Sequence, residues 1–390
     1  MSERTSCPSC TSDDLRVFHR AKGVPVNSCL SLSTREEALA FPRGDISLAF
    51  CQSCGFIFNA AFDESLLEYS ERYDPTQAFS GTFNRWHLKL AESLVEQYGL
   101  RGKRIIEIGC GKGEFLTMLC ELGANSGIGF DPAVDPERTR APKEGDAKFV
   151  QDFYSEKYAD EKGDFVCCKM TLEHIPEVAS FVGMLRGSIG ERPDAIVFVQ
   201  VPEVGLILQQ GQFYDVMHEH CSYFTTTSLR RLFAAQGFEV IATPIQYQGQ
   251  HLSLEARPGR PRLLKEPLDE LRELCRSFAD RCAERADRWA KTIGRALDAG
   301  QRIVLWGSGS KATAFLNALG IESEIDGVVD INPNRRGMYL ATCGQEIIAP
   351  DRLPERPPGL VIAVNPIYRE EIRRQLADMG LAPELLTLSP

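Results

Sequence analysis

Met217-His218-Glu219-His220 places two imidazoles on either side of one carboxylate, in a chain with only six histidines, and Tyr214 and Tyr223 stand close by. A third imidazole, His174, lies in Lys169-Met-Thr-Leu-Glu-His-Ile-Pro176, just before a proline suited to open a helix. A neutral imidazole titrates near neutrality and an adjacent carboxylate can orient it, so these residues suit proton abstraction. Two other readings stay open for the pair: a metal site whose remaining ligands come from elsewhere, or a solvated turn without function. Cys7-Pro-Ser-Cys10 and Cys51-Gln-Ser-Cys54 carry a different chemistry. Each tight turn offers two thiolates, and four thiolates complete a tetrahedral shell for a structural zinc ion with no open position. The alternatives are a redox pair, which normally sits at a helix start in a thioredoxin-like setting absent here, or four unrelated buried thiols.

The elements that position these groups follow from hydrophobic periodicity. Arg104-Ile-Ile-Glu-Ile-Gly-Cys-Gly-Lys-Gly-Glu-Phe-Leu116 reads as a strand, a glycine turn and a helix N-terminus. Gly109, Gly111 and Gly113 permit positive φ and close approach of a ligand to backbone N–H groups, which makes the turn a cofactor cradle. Its spacing is GxGxG preceded by Glu107, so the dinucleotide fingerprint GxGxxG is not met. Gly127-Ile-Gly-Phe-Asp131 gives a second strand closed by an acid fit to bind ribose hydroxyls. Apolar runs at 165–168 and 195–201 add further strands, and helical stretches are expected at 64–73 and 83–99. Alternation of strands and helices predicts a doubly wound parallel sheet, which binds ligands at the carboxyl ends of its strands.

Beyond Arg257-Pro-Gly-Arg-Pro-Arg262 the character changes. One long amphipathic helix is expected over 263–299. It leads to a second Rossmann-like start, Arg302-Ile-Val-Leu-Trp-Gly-Ser-Gly-Ser-Lys-Ala312, followed by a strand ending at Asp330. This GSGSK turn reads as a phosphate or substrate surface, with a nicotinamide site or a vestigial fold as alternatives. Three α/β or zinc-binding units result, at 1–65, 66–256 and 257–390.

Composition narrows the partners. A length of 390 residues exceeds what one core usually holds, and 43% apolar with 25% charged residues lets the whole chain fold. A net charge of -10 without a basic block disfavours nucleic acid and leaves small molecules as partners. No stretch reaches the roughly 18 apolar residues of a membrane span, and the polar start is no secretion signal, so a cytoplasmic location is expected. Thirteen cysteines, an odd number, argue against a disulfide framework.

The glycine motif with Glu107, the acid Asp131 and Ala147-Lys-Phe-Val-Gln-Asp-Phe153 together resemble the class I Rossmann-like methyltransferases that use S-adenosylmethionine. In that likeness the last segment, with Asp152 and Phe153, brackets the adenine. With the four-cysteine unit, His-Glu-His-x-x-Tyr-Phe and the carboxyl-terminal GxGxK domain, the whole chain resembles the zinc-containing sugar C-methyltransferases that alkylate carbon 3 of nucleotide-linked 4-keto deoxysugars. The resemblance implies S-adenosylmethionine as cofactor, structural zinc, and a nucleotide sugar as the small-molecule substrate of a monomer. It implies His220 as the base, Glu219 as its orienting partner, His174 as a second imidazole facing the sugar, and Tyr73 as an upstream family tyrosine. His218 completes the candidate catalytic set. One departure is plain: the family reads Tyr-His-Glu-His where this chain has Met217. A thioether cannot donate the hydrogen bond that a phenol gives an enolate oxygen. An O- or N-methyltransferase on the same scaffold is the alternative activity.

Overall fold

The computed structural model describes residues 3–389 apart from Ser31, Glu71, Pro136 and Arg138. Strands Leu15–Pro25, Arg43–Cys51 and Ile57–Asn59 form an antiparallel meander at the amino-terminal end. Its fourth strand, Ser222–Tyr223, comes from far along the chain, directly after the His-Glu-His turn. Residues Ile46 to Cys51 are buried, so this sheet carries the turn on a solid support.

The central sheet has eight strands. Ile196–Pro202, Phe165–Lys169, Arg104–Ile108, Ser126–Phe130 and Asp146–Val150 lie parallel in that spatial order, as their near-continuous apolar runs require. Strands His251–Pro258 and Phe238–Ala242 extend one edge antiparallel, and Ile245–Gln246 pairs with the former. Chain direction reverses in order between Arg104–Ile108 and Phe165–Lys169. That is the switch point where a ligand crevice opens. Helix Gly81–Gln97 occupies the expected place, capped by the Ser80 hydroxyl, which accepts from the Phe83 N–H. The expected helix at 64–73 shrinks to the single 3-10 turn Glu64–Leu66. The reason is tertiary: Leu67 turns extended, Tyr73 bridges to Leu30, and Tyr69 and Tyr73 are drawn to the wall of the crevice.

The carboxyl-terminal sheet is parallel throughout, in the order Ile347–Ile348, Gly327–Val329, Ile303–Trp306, Leu360–Ala363, Glu384–Thr387. Helix Asp269–Asp298 precedes it, starting six residues later than its apolar spacing suggests. Pro267 accounts for this, because a proline keeps the residue before it out of the helical region. Among the described residues, no helix is long and apolar enough to cross a membrane.

Helix Asp269–Asp298 ties the units together through the buried Arg285. Its Nε donates to the Gln210 carbonyl at 2.7 Å, and its Nη1 donates to the Leu388 carbonyl at 3.0 Å. Arg285→Ala takes this donor from the Gln210 carbonyl, while the Leu388 carbonyl keeps the Tyr214 hydroxyl at 2.9 Å. Calorimetric unfolding should show a loss of about 1–3 kcal/mol, the cost of leaving a buried polar group unsatisfied; an unchanged midpoint would remove this joint from the account.

Candidate active site

One cavity of about 850 Å³ is lined by all three parts of the chain. On one side lies the glycine turn. A Cβ at Gly109, where φ is +71°, would fall 1.9 Å from the Thr171 hydroxyl, so only glycine fits there. A Cβ at Gly111, where φ is +55°, would meet nothing within 4 Å, and Gly111 lines the cavity. The backbone therefore offers an open cradle. Gly113 begins helix Glu114–Gly123 at φ +81°. The buried Glu107 carboxylate accepts the Leu116 N–H at 3.0 Å, and burial pushes its pKa up to about 8. Asp131 accepts from the Gly111 N–H at 2.8 Å and the Ala133 N–H at 2.7 Å, which fixes the acid beside the turn. Asp152 and Phe153 also line the cavity; Asp152 accepts from the Tyr158 hydroxyl at 2.6 Å and from Lys157 at 2.9 Å.

The His-Glu-His segment forms the cavity floor. The Tyr223 hydroxyl accepts from the Met217 N–H at 3.1 Å and donates to the Met217 carbonyl at 3.0 Å, closing a turn from which three consecutive side chains leave in different directions. His218 departs from the site. Its ring is fully buried beside Phe62, at 5.4 Å between centroids, and so close to Gly44 that a Cβ there would lie 2.5 Å from it. The expectation that His218 belongs to the catalytic set is corrected: it packs against the amino-terminal sheet, because that sheet pairs with the two residues following the turn.

Glu219 also differs from expectation. Its carboxylate accepts from the Ser28 N–H at 3.1 Å, from the Ser28 hydroxyl, and from the Tyr73 hydroxyl at 3.2 Å. These donors turn it away from the His220 ring, and no hydrogen bond joins the two side chains among the described residues. The Glu219 carbonyl meets His174 Nδ1 at 3.0 Å instead. A carbonyl only accepts, so that contact places a proton on Nδ1. His220 and His174 both line the cavity and stand edge to face, 4.9 Å between centroids. Burial lowers the pKa of each, and the Lys311 charge lowers His220 further, which favours the neutral form of both rings.

Three residues in or behind the cavity wall were not singled out by the sequence. Ser28 reaches Glu219 from 191 positions away, which no local pattern reveals. The Tyr69 hydroxyl lies 3.0 Å from His174 Nδ1; its spacing of four from Tyr73 was the available cue. Glu173, next to His174, groups with His174 and His220 so that one ligand atom from each lies within 4.8 Å of the others. Met217 lines the wall beside them.

The far wall belongs to the carboxyl-terminal sheet. Lys311 of the GSGSK turn pairs with Asp215 at 2.8 Å. Asp330 accepts from the Ser308 N–H and the Asn332 N–H, both at 2.8 Å, repeating the way Asp131 is held. At the rim, Tyr247 bonds to Tyr368 at 2.7 Å, and the Gln250 and Asn365 amides exchange two bonds of 3.1 Å.

At the amino-terminal end, the Cys7 and Cys54 sulfurs are 3.6 Å apart, as are those of Cys10 and Cys51, and all four fall within 4.8 Å of one another. A tetrahedral ion bonded to sulfur at about 2.3 Å sets sulfurs about 3.8 Å apart, so the four residues fit zinc.

Comparison with known proteins gives the same outline. A methyltransferase domain family model matches residues 82–243, and a C-methyltransferase C-terminal domain model matches residues 265–382. The C-methyltransferase NovU of Streptomyces niveus is 25% identical over 84% of this chain and 81% of its own. A ubiquinone biosynthesis O-methyltransferase of Aeromonas salmonicida is 30% identical over 36% of this chain and 65% of its own. Among solved structures, a magnesium protoporphyrin IX methyltransferase of Synechocystis PCC 6803 is 17% identical with a TM-score of 0.37, covering 46% of this chain and 84% of that one. The chain is an S-adenosylmethionine-dependent methyltransferase. Its likeness to NovU along most of its length, together with the match of residues 265–382, supports a C-methyltransferase family in particular.

The bonding of Glu219 generates a prediction. An amide at this position presents two hydrogens to groups that donate, so Glu219→Gln should lose about 1–3 kcal/mol of stability in chemical denaturation. Ser28→Ala combined with it should cost less than the sum of the two single changes, since both remove the same bond. Full additivity would show that the Ser28 contact contributes nothing.

Proposed function

We propose that this enzyme methylates a carbon next to a ketone, on a nucleotide-linked keto deoxysugar, with His220 as the base. The observation that carries the reading is the pair of neutral imidazoles, His220 and His174, on the floor of a cavity that opens to the glycine cradle on one side and to a second Rossmann-like domain on the other. S-adenosylmethionine, when bound, supplies an electrophilic methyl group. Glu107, Gly109, Gly111, Gly113, Asp131, Asp152 and Phe153 are the residues that would hold it, with Asp131 toward the ribose hydroxyls. The GSGSK wall would hold the substrate. His220 is uncharged at neutral pH and so is ready to take a proton from the acceptor carbon.

An enolate needs a donor at its oxygen, and Met217 has none. Tyr69 and Tyr73 stand on the same wall, and burial keeps both phenols protonated. The Tyr73 hydrogen is already given to Glu219, whereas Tyr69 accepts from His174 Nδ1 and keeps its own hydrogen, so Tyr69 offers the bond that the family tyrosine would give and makes Met217 compatible with carbanion chemistry.

Isotope loss tests this reading. With a nucleotide-linked 4-keto deoxysugar deuterated beside the ketone, methylation should proceed with loss of deuterium, and His220→Ala should bind S-adenosylmethionine normally yet turn over at least ~10²-fold more slowly. Methylation with full retention of deuterium would point to an oxygen or nitrogen acceptor instead.

The four-cysteine cluster we assign to structural zinc, held by Cys7, Cys10, Cys51 and Cys54 with no open position for chemistry. Metal analysis should find one zinc per chain, and Cys10→Ser should lose zinc and thermal stability together. Full metal content in that variant would sink the assignment.

A further inference from the structure

Glu173 is the unexplained group in this site. It is buried, it lines the cavity, and it sits against the two imidazoles. Among the described carboxylates lining the cavity, Glu173 alone has a buried oxygen, Oε2, without a hydrogen-bond partner. An ionisable group stranded this way is costly to bury, so its place calls for a function. Meanwhile Glu219, which the sequence offered as the partner of His220, is committed to Ser28 and Tyr73.

We propose that Glu173 is the positioning carboxylate behind His220 and takes from it the proton abstracted from the acceptor. This rests on the proton-abstraction reading above. When the carbon–hydrogen bond next to the ketone breaks, its electron pair passes into the enolate and its proton goes to the His220 imidazole. An imidazolium there would be buried and would face Lys311, whose charge disfavours a second positive charge. Passing the proton to the Glu173 carboxylate restores a neutral ring. The enolate carbon then bonds to the methyl group, the carbon–sulfur bond breaks onto sulfur, and Glu173 returns one proton to water in each turnover. Charge is conserved at every step.

The surroundings of Glu173 set when it can accept. Lys169, His174 and His220 face it with potential positive charge, while Glu219, Tyr69, Cys168 and Cys221 add negative charge if ionised. Burial dominates and moves its pKa up to about 8. A carboxylate must be ionised to accept, so the accepting form gains population as pH rises through that value.

The test uses the full chain saturated with S-adenosylhomocysteine, with nitrogen-labelled histidine observed by NMR. The His220 ring signals should show a step near pH 8 that vanishes in Glu173→Gln and persists, displaced, in Glu173→Asp. In deuterium release from the labelled keto deoxysugar, Glu173→Gln should be at least ~10-fold slower with KM for S-adenosylmethionine unchanged, and the rise of rate with pH should flatten. A histidine step that survives unaltered in Glu173→Gln overturns the proposal, as does a step that depends on an added divalent cation. The two levels separate cleanly. If His220→Ala abolishes deuterium release and Glu173→Gln leaves it intact, only the role of Glu173 fails. If His220→Ala leaves it intact, the base itself is wrong.

Discussion

The hydroxyl of Tyr223, bonded to both the N–H and the carbonyl of Met217, is the contact on which the site depends. It closes a turn of a few residues and sends His218, Glu219 and His220 to three different destinations. His218 goes into the amino-terminal sheet, Glu219 to Ser28 and Tyr73, and His220 into the cavity. Ser222 and Tyr223, one residue beyond the histidine, pair with strand Ile57–Asn59, so the turn cannot move without disturbing the sheet that carries one cysteine knuckle at the end of its neighbouring strand. This is the structural link between the four-thiolate cluster and the chemistry. The four-cysteine cluster need not touch the cavity to matter, because it braces the platform on which His220 stands.

Regular elements were legible in the sequence, and the irregular site was legible only in outline. The strands at Arg104–Ile108, Ser126–Phe130 and Phe165–Lys169 follow from apolar runs that nothing else explains. Glycine spacing located the cradle because positive φ at Gly109 and Gly113 leaves few other residues possible. The destinations of His218 and Glu219 were not legible. Alternation rules need a repeating backbone, and a closed turn has none, so adjacency of His, Glu and His implied a unit that the chain does not build. Partners distant in sequence, such as Ser28, are set by the packing of one sheet against another. The segment 64–73 shows the opposite failure: its composition favours a helix, and the demand for two tyrosines on the cavity wall overrides it.

Burial explains how weak bases can serve here. Desolvation keeps His174 and His220 uncharged, which makes them ready to accept a proton and also makes the protonated form costly. In the proposed reaction, abstraction from carbon therefore has to be coupled to stabilisation of the oxygen that gains charge and to removal of the proton that is gained. The Tyr69 phenol, held protonated by the same burial, suits the first need. The same low-polarity surroundings that weaken the base strengthen each hydrogen bond to the developing oxyanion, so one enclosure serves both.

The far wall sharpens what an acceptor must look like. A GSGSK turn suggests a lysine free to bind phosphate, yet Lys311 is already paired with Asp215 from the loop beside the His-Glu-His turn. Arg335, buried behind the turn, donates to the Ser308 carbonyl at 2.7 Å and to its hydroxyl at 3.0 Å. Both cations are committed within the protein. A diphosphate approaching this wall would gain from the N-terminus of helix Ser310–Leu319 and would compete with Asp215 for Lys311. Displacing Asp215 would act on the loop that leads into Met217 and His220. Under the proposed function, binding of an anionic substrate group here would be connected, through four or five residues of backbone, to the position of His220. The second Rossmann-like domain then does more than enclose the cavity: its turn shares an ion pair with the segment that carries His220, and an anion is the kind of ligand that would alter that pair.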